Sequence, residues 1–194
     1  MMDIMARDIR RAGFVTSDPE TNLDSLRNNP FFDGIISDIA IHDGGACIVY
    51  TYNRDDDSPP YVDYPSDTDG DNNPSEFLGF RLSNGELSMR LSGATNENCT
   101  DGSWESITEP EVQITGLTFT LTSTPLNVAS MVNDDDGICE TGEACNTCTT
   151  GQACLYVRNV AISLTGRLRD DNAVTQTITE QVRVRNDKYL ATAP

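Results

Sequence analysis

The sequence predicts an α+β domain, in which one N-terminal α-helix packs on a predominantly antiparallel β-sheet. Three observations support this fold class. The chain opens with an apolar stripe at helical spacing, most segments after residue 31 alternate apolar and polar side chains, and an Asn-Gly pair separates two of those segments. With 194 residues and 37% apolar side chains, the chain suits a single domain over residues 1–194.

The helix is predicted over residues 1–14. Its stripe consists of Met1, Met2, Met5, Ile9 and Ala12. Positions at this spacing share one face of a helix. Gly13 is a suitable C-cap, and Pro19 stands beyond it as a stop. Because the segment has no N-cap residue, we expect it to be the C-terminal part of a longer helix.

Strands are predicted where β-branched and aromatic residues alternate with polar ones. The predicted segments are residues 35–41, 47–52, 77–82, 86–91, 112–121, 155–168 and 174–185. Between the third and fourth lies Asn84-Gly85, the strongest short-range signal for a hairpin, because both turn positions need a positive φ. Successive strands joined by short turns predict antiparallel pairing.

Charge and composition exclude several functions. The chain has 31 acidic and 13 basic residues, for a formal net charge of −18. Such a surface repels nucleic acid and anionic membranes. His42 follows a predicted strand as an exposed loop residue, and no serine or cysteine lies in a nucleophile-elbow context. We therefore expect no enzyme, and we interpret Trp104 as a core or sheet-edge residue rather than a sugar platform.

An acidic run at residues 67–73 matches the start of an EF-hand-like calcium loop. Carboxylates stand at alternate positions, namely Asp67, Asp69 and Asp71. Calcium needs six or more oxygen ligands that converge on a tight turn, and this spacing supplies several. The match then departs, because Asn72 replaces the sharp-turn glycine and Leu78 replaces the bidentate glutamate. A solvated acidic loop without calcium is the alternative.

A second acidic segment, residues 133–143, is the better calcium candidate. Its candidate ligands are Asp134, Asp136, the carbonyl of Ile138, Glu140 and Glu143. Gly137 and Gly142 allow the bends that would bring these oxygens onto one ion. The tract resembles the short Asp/Gly/Cys/Glu calcium loops of secreted bacterial proteins, in a single copy. The alternative is a loop held by disulfides alone.

The cysteines indicate an oxidising compartment. There are six, at Cys47, Cys99, Cys139, Cys145, Cys148 and Cys154. An even count in an acidic chain predicts disulfides, and the last four allow three pairings. We favour Cys139–Cys148 with Cys145–Cys154, which leaves Cys47–Cys99. Zinc is the alternative for residues 139–154, but only one C-x-x-C motif is present, whereas structural zinc sites usually use two.

Short segments spread along the chain share one resemblance. They are residues 5–14, 47–52, 79–82, 84–85, 89–90, 99, 104, 114–119, 160–167 and 182–186. In this order they resemble minor type IV pilins of the PilW type, which are related to the J-type minor pseudopilin of type II secretion. Each segment alone is weak evidence, and the ordered set is what carries the resemblance.

The resemblance implies a type IV pilin-like fold with long acidic, disulfide-bonded loops. Residues 1–14 would be the C-terminal half of the pilin helix, and residues 133–154 a Cys-rich acidic insertion. It also implies a structural subunit that acts in initiation and assembly of a pilus, at or near its tip. The implied partners are other minor pilins, the major pilin and the inner membrane, which a missing N-terminal helix half would enter.

This resemblance places the protein at the pilus, the cell surface and the periplasm, with a precursor anchored in the inner membrane. It does not distinguish a pilus from a secretion pseudopilus. The alternative is a secreted calcium-dependent adhesion or carbohydrate-binding module. The upstream coding sequence would separate the two, because a prepilin cleavage site followed by about 20 apolar residues belongs only to the pilin.

Overall fold

The computed structural model describes residues 1–15, 29–32, 38–54, 75–128, 145–171 and 173–190. These residues form one α-helix, α1 (Met2–Ile9), and two antiparallel sheets. The first sheet contains β1 (Ile39–His42), β2 (Cys47–Thr51), β3 (Phe77–Ser83), β4 (Glu86–Ser92) and β5 (Ser103–Ser106). The second contains β6 (Val112–Asn127), β7 (Cys154–Leu168), β8 (Thr175–Arg183) and β9 (Lys188–Leu190).

The first sheet is a meander in which each strand pairs with the next along the chain. Its central turn confirms the predicted hairpin: Ser83 pairs with Glu86, and the two residues between them both have positive φ. Asn84 has φ 53° and Gly85 has φ 79°. Strand β2 is buried at every position because both of its faces are covered. Ile48 and Tyr50 pack in the larger apolar cluster, whereas Cys47 and Val49 pack with Cys99.

The second sheet is built around β7. Strand β6 pairs with β7 along nearly its whole length, with a register shift between Ile114 and Gly116. On the other edge of β7, β8 pairs with residues 159–167 and β9 with residues 154–156. Successive side chains of β6 and β7 point to opposite faces of the sheet, and one face packs on the core. Burial therefore alternates along both strands around Leu117 and Ile162.

The larger of the two apolar clusters among the described residues joins α1 to both sheets. The helix contributes its buried stripe, which continues to Ala12 beyond its last turn. The first sheet contributes Ile48, Tyr50, Phe80 and Leu87, and the second contributes Phe119, Val160, Ile162 and Val182. None of the described helices is long and apolar enough to cross a membrane.

The predicted fold class is wrong. We expected a type IV pilin-like α+β domain, with one helix packed on one predominantly antiparallel sheet. The described residues are instead mostly β, in two antiparallel sheets with one short helix. The physical reason lies in β6 and β7, whose 16 and 15 residues form a second sheet large enough to provide its own side of the core. The helix, with eight residues, adds only one stripe.

Candidate subunit interface

Helix α1 is held by a polar contact as well as by its apolar stripe. Asp8 accepts hydrogen bonds from the hydroxyls of Tyr50, at 2.5 Å, and Tyr52, at 2.8 Å. The two rings are stacked, with centroids 6.3 Å apart, and the guanidinium of Arg11 lies 4.4 Å above the Tyr52 ring. The carboxylate of Asp8 therefore links α1 to Tyr50 in β2 and to Tyr52, which directly follows β2.

These contacts shift the ionisation of both phenols. Burial is the largest cause, and the negative charge and hydrogen bond of Asp8 act in the same direction. The pKa of Tyr50 and that of Tyr52 are both raised above the ordinary value of 10.0. Both side chains therefore remain neutral hydrogen-bond donors to Asp8 at physiological pH.

The carbonyl of Arg10, the C-cap residue of α1, and the carbonyls of the turn after it accept hydrogen bonds from residues that follow β8. The N–H of Arg185 donates to the carbonyl of Arg10 at 3.0 Å. The side chain of Asn186 donates to the carbonyls of Arg11 and Ala12, each at 3.2 Å. Since the last carbonyls of a helix have no partner within it, this segment acts as a cap supplied by the second sheet.

A buried cationic residue supports the same region. Arg158 on β7 forms an ion pair with Asp38 and donates to the carbonyl of Asn186. Its guanidinium lies 5.1 Å from the ring centroid of Phe32. Burial lowers the pKa of Arg158 to about 10, against the opposing effect of Asp187. The group stays charged at neutral pH, so it can fix the segment after β8 that caps α1.

Exposed apolar side chains surround the first turn of α1. Among the described residues, the large hydrophobic side chains that remain exposed are Ile4, Leu91, Leu168, Val174 and Ile178. We call these five the apolar collar. Three of them line a depression of about 210 Å³ with Met1. The other two, Ile4 and Leu91, line a second depression of about 320 Å³ together with charged side chains such as Arg7 and Asp8. Clustered exposed apolar surface marks an interaction site.

Sequence reasoning missed most of the collar. The alternation within the predicted strand 174–185 assigns Ile178, Val182 and Val184 to one apolar face, opposite polar residues such as Thr179. In the structure Val182 and Val184 are buried, whereas Ile178 is 44% exposed and Val174 is 52% exposed. Alternation assigns a residue to a face of a strand, but it carries no signal about whether a neighbour covers that face.

The disulfides agree with the sequence only in part. Cys47 on β2 is joined to Cys99, as predicted. The favoured Cys145–Cys154 and Cys139–Cys148 pairings are wrong, because Cys148 is joined to Cys154. The short turn between them brings their Cα atoms to 6.1 Å. None of the described cysteines is free, and Cys145 is disulfide-bonded.

The predicted calcium ligands are not part of the described structure. Asp67, Asp69 and Asp71 lie outside the described residues, as do Asp134, Asp136, Ile138, Glu140 and Glu143. Within residues 1–15, 29–32, 38–54, 75–128, 145–171 and 173–190, one group has metal-ligating side chains close together: Asp43, Cys47 and Cys99. Its two cysteines form a disulfide, so it offers only one carboxylate ligand.

Other candidate residues have structural contacts. His42 ends β1 instead of lying in an exposed loop, and its Nε2 is 2.7 Å from the carbonyl oxygen of Asn96. Trp104 is on the edge strand β5, as expected, with its ring 4.3 Å from the guanidinium of Arg81. The buried Arg90, which the sequence did not single out, pairs with Asp101 at 2.6 Å. These contacts fix the loop that contains Cys99.

A comparison with known families identifies the chain. The family model described as prepilin peptidase-dependent protein B, PpdB, matches residues 1–184. The chain belongs to the PpdB family. No curated protein and no solved structure shows a significant match to it.

PpdB membership confirms the pilin-related part of the resemblance. The chain is a pilus-related protein of a prepilin peptidase-dependent family. The match extends over α1 and all the strands up to β8, so it includes every residue of the apolar collar.

Proposed function

We propose that this PpdB protein is a PilW-type minor pilin that acts in initiation and assembly of a type IV pilus, at or near the tip. Its partners in this proposal are other minor pilins and the major pilin, and its precursor is anchored in the inner membrane by an N-terminal helix. It works by binding its neighbours, without catalysis. The family match supports the pilus context.

The apolar collar is the observation that carries this proposal. Its members come from four elements or their ends, yet they line just two depressions, which include Met1 and Ile4 at the start of α1. Exposed Val174 and Ile178 would bury their apolar surface in contact with a neighbour, each contributing about 1 kcal/mol or more to association. A neighbouring subunit that packs against the start of α1 would cover both depressions at once.

The disulfides support the proposed location. Cys47–Cys99 and Cys148–Cys154 are structural bonds that form and persist in oxidising compartments. A subunit that folds in the periplasm and is then exposed on the cell surface meets this condition. We therefore propose that the domain matures in the periplasm before it enters a pilus.

The test is complementation in the host of this gene. The gene is deleted, and the strain is complemented with wild type, with Ile178→Asp or with the control Thr179→Asp. Both substitutions place the same charge on exposed, adjacent positions of β8, but Thr179 points away from the collar because side chains alternate. We expect Ile178→Asp to fold yet to reduce the number of pili per cell at least tenfold, while Thr179→Asp restores them.

Two results would overturn the proposal. A deletion strain with a normal number of pili would remove the assembly role altogether. Full restoration by Ile178→Asp, with expression equal to wild type, would mean that the collar is not a subunit contact. Immunogold labelling of an epitope-tagged full chain tests the tip location separately, because label distributed along the whole pilus would contradict it.

A further inference from the structure

A strongly acidic molecule carries a concentrated basic surface beside α1. The formal net charge is −18, and the chain has only 13 basic residues. Five of them line two adjoining depressions of about 450 and 480 Å³: Arg7, Arg10, Arg11, Arg183 and Arg185. We call these residues the arginine groove. Among the described residues, no acidic side chain lines either depression.

The secondary structure dictates this clustering. Arg7, Arg10 and Arg11 follow the i, i+3, i+4 spacing, which places them on one side of α1 and its end. Arg183 is the last residue of β8 and Arg185 follows two positions later, and both line the same depression. The backbone hydrogen bond from Arg185 to Arg10 joins the two elements, so the groove is formed before any ligand arrives.

The guanidinium groups differ in how far they are already paired. Arg10 is 3.5 Å from Glu180, and Arg183 is 3.0 Å from Asp187, so carboxylates already bind at the edge of the groove. No carboxylate of the described residues forms an ion pair with Arg7 or with Arg185. Both side chains are exposed, which leaves their donor groups open to an external acceptor.

We propose that the arginine groove binds a carboxylate-rich segment of a neighbouring protein. A guanidinium offers two parallel N–H donors that match a carboxylate, and several of them in one groove accept several acids in series. Phe14 lines the same depression and provides an apolar surface for the methylene groups of glutamate side chains. The groove adjoins the apolar collar, because Arg7 and Arg11 also line the depression that contains Ile4 and Leu91. Its ligand is recognised by charge rather than by apolar contact, so the proposal does not depend on the function proposed above.

Charge also selects the class of ligand. A long polyanion such as nucleic acid would extend beyond the groove and meet the negative field of the rest of the molecule. A short acidic segment occupies only the groove, and charges farther away than about 8 Å are largely screened at physiological salt. The acceptor is therefore a protein segment with a few clustered Asp or Glu residues.

The experiment measures binding of a fluorescein-labelled hexaglutamate peptide to the full chain by fluorescence anisotropy, at 20 and 150 mM salt. The variant is Arg7→Gln/Arg185→Gln, which removes two cations from the groove without breaking an ion pair of the described residues. The control, Arg167→Gln/Arg169→Gln, removes two cations at the opposite end of the second sheet, about eight strand residues away. Thermal melting checks that both variants remain folded.

We expect salt-sensitive binding to wild type, at least tenfold weaker binding to the groove variant and a change within twofold for the control. The proposal is overturned if wild type does not bind the peptide at 20 mM salt. It is also overturned if the control weakens binding as much as the groove variant, because net charge alone would then explain the effect. If a twelve-nucleotide single-stranded DNA binds wild type more tightly than the peptide does, the proposal is overturned, because the ligand of the groove would then be a nucleic acid.

Discussion

Asp8 is the residue through which α1 makes its most specific contact. Its carboxylate accepts a hydrogen bond from each of two tyrosines, and Tyr50 is fully buried. Without Asp8, the Tyr50 hydroxyl would lose its partner inside the core, where an unsatisfied polar group is costly. Asp8 therefore fixes the helix to the first sheet through hydrogen bonds to both tyrosines.

The first prediction concerns this anchor. Asp8→Ala should lower the free energy of unfolding by about 3 kcal/mol, because hydrogen bonds to a charged acceptor contribute about 1.5–3 kcal/mol each and partly overlap here. The matched control is Asp3→Ala, an exposed acid in the first turn of the same helix, with an expected loss of at most about 0.5 kcal/mol. Urea unfolding measures both, and equal losses would show that the tyrosine contacts contribute nothing.

The second prediction concerns alkaline pH. Both tyrosines have a raised pKa in the folded protein, whereas in the unfolded chain they titrate near 10.0. Above that pH the unfolded chain has released protons that the folded protein retains, so stability is complete below about pH 10 and falls as pH rises further. Urea unfolding between pH 8 and 10.8 should show this decrease.

Tyr52→Phe provides the control for the alkaline effect. It removes one of the two shifted phenols, so its stability should fall less steeply above about pH 10 than that of wild type. At pH 8 it should be less stable than wild type by about 1 kcal/mol, because one hydrogen bond to Asp8 is lost. Parallel curves for the two proteins above pH 10 would mean that Tyr52 does not titrate differently on folding.

At the scale of elements, turns decide where the strands of the first sheet end. Asn84-Gly85 reverses the chain between β3 and β4 with the positive φ values that the pair predicted. Gly102, which precedes β5, has a φ of +85° and lies against the backbone carbonyl of Ser92, so a Cβ atom at this position would overlap that carbonyl. This approach lets β5 join β4 across the register shift between Arg90 and Ser92.

The third prediction compares two glycines with positive φ. Gly44→Ala should cost about 1 kcal/mol, because its φ of +66° is strained for alanine but an added Cβ meets open space. Gly102→Ala should cost about 3 kcal/mol, because an added Cβ would also overlap the backbone oxygen of Ser92. Thermal unfolding compares them, and similar costs would mean that the backbone near Ser92 adapts freely.

At the scale of the whole molecule, Cys47–Cys99 links strand β2 to the segment between β4 and β5. It joins residues 52 apart in sequence, whereas Cys148–Cys154 joins residues only 6 apart. A crosslink restricts the unfolded chain more when the loop it closes is longer. The long bond therefore acts on the stability of the whole fold, and the short one mainly on a local turn.

The fourth prediction follows from this difference. Cys47→Ala/Cys99→Ala should destabilise the protein by about 4 kcal/mol, and Cys148→Ala/Cys154→Ala by about 2 kcal/mol, on the chain-entropy relation. The first pair is also buried, so any cavity would enlarge its loss. Urea unfolding without reductant measures both variants. A larger loss for the short loop would contradict the entropic explanation and indicate a structural role specific to residues 145–154.

The sequence by itself determined local features and the relationship to pilins. The stripe of α1, the Asn84-Gly85 hairpin, most strand positions and the Cys47–Cys99 bond were predicted correctly, and the ordered segments indicated a pilin relative. The misses among strands are the four residues of β5 and the three residues of β9. Both are short strands at the edges of sheets, and such segments have too few buried positions to produce a periodic pattern.

Only the tertiary structure decided how these elements are arranged. Apolar alternation is the same whether a strand packs against a helix or against a second sheet, so the sequence predicted one sheet where there are two. The exposure of Ile178 and the meeting of Arg7 with Arg185 likewise depend on contacts between distant parts of the chain. Local spacing assigns a side chain to a face, whereas long-range packing determines whether that face is covered and which charges come together.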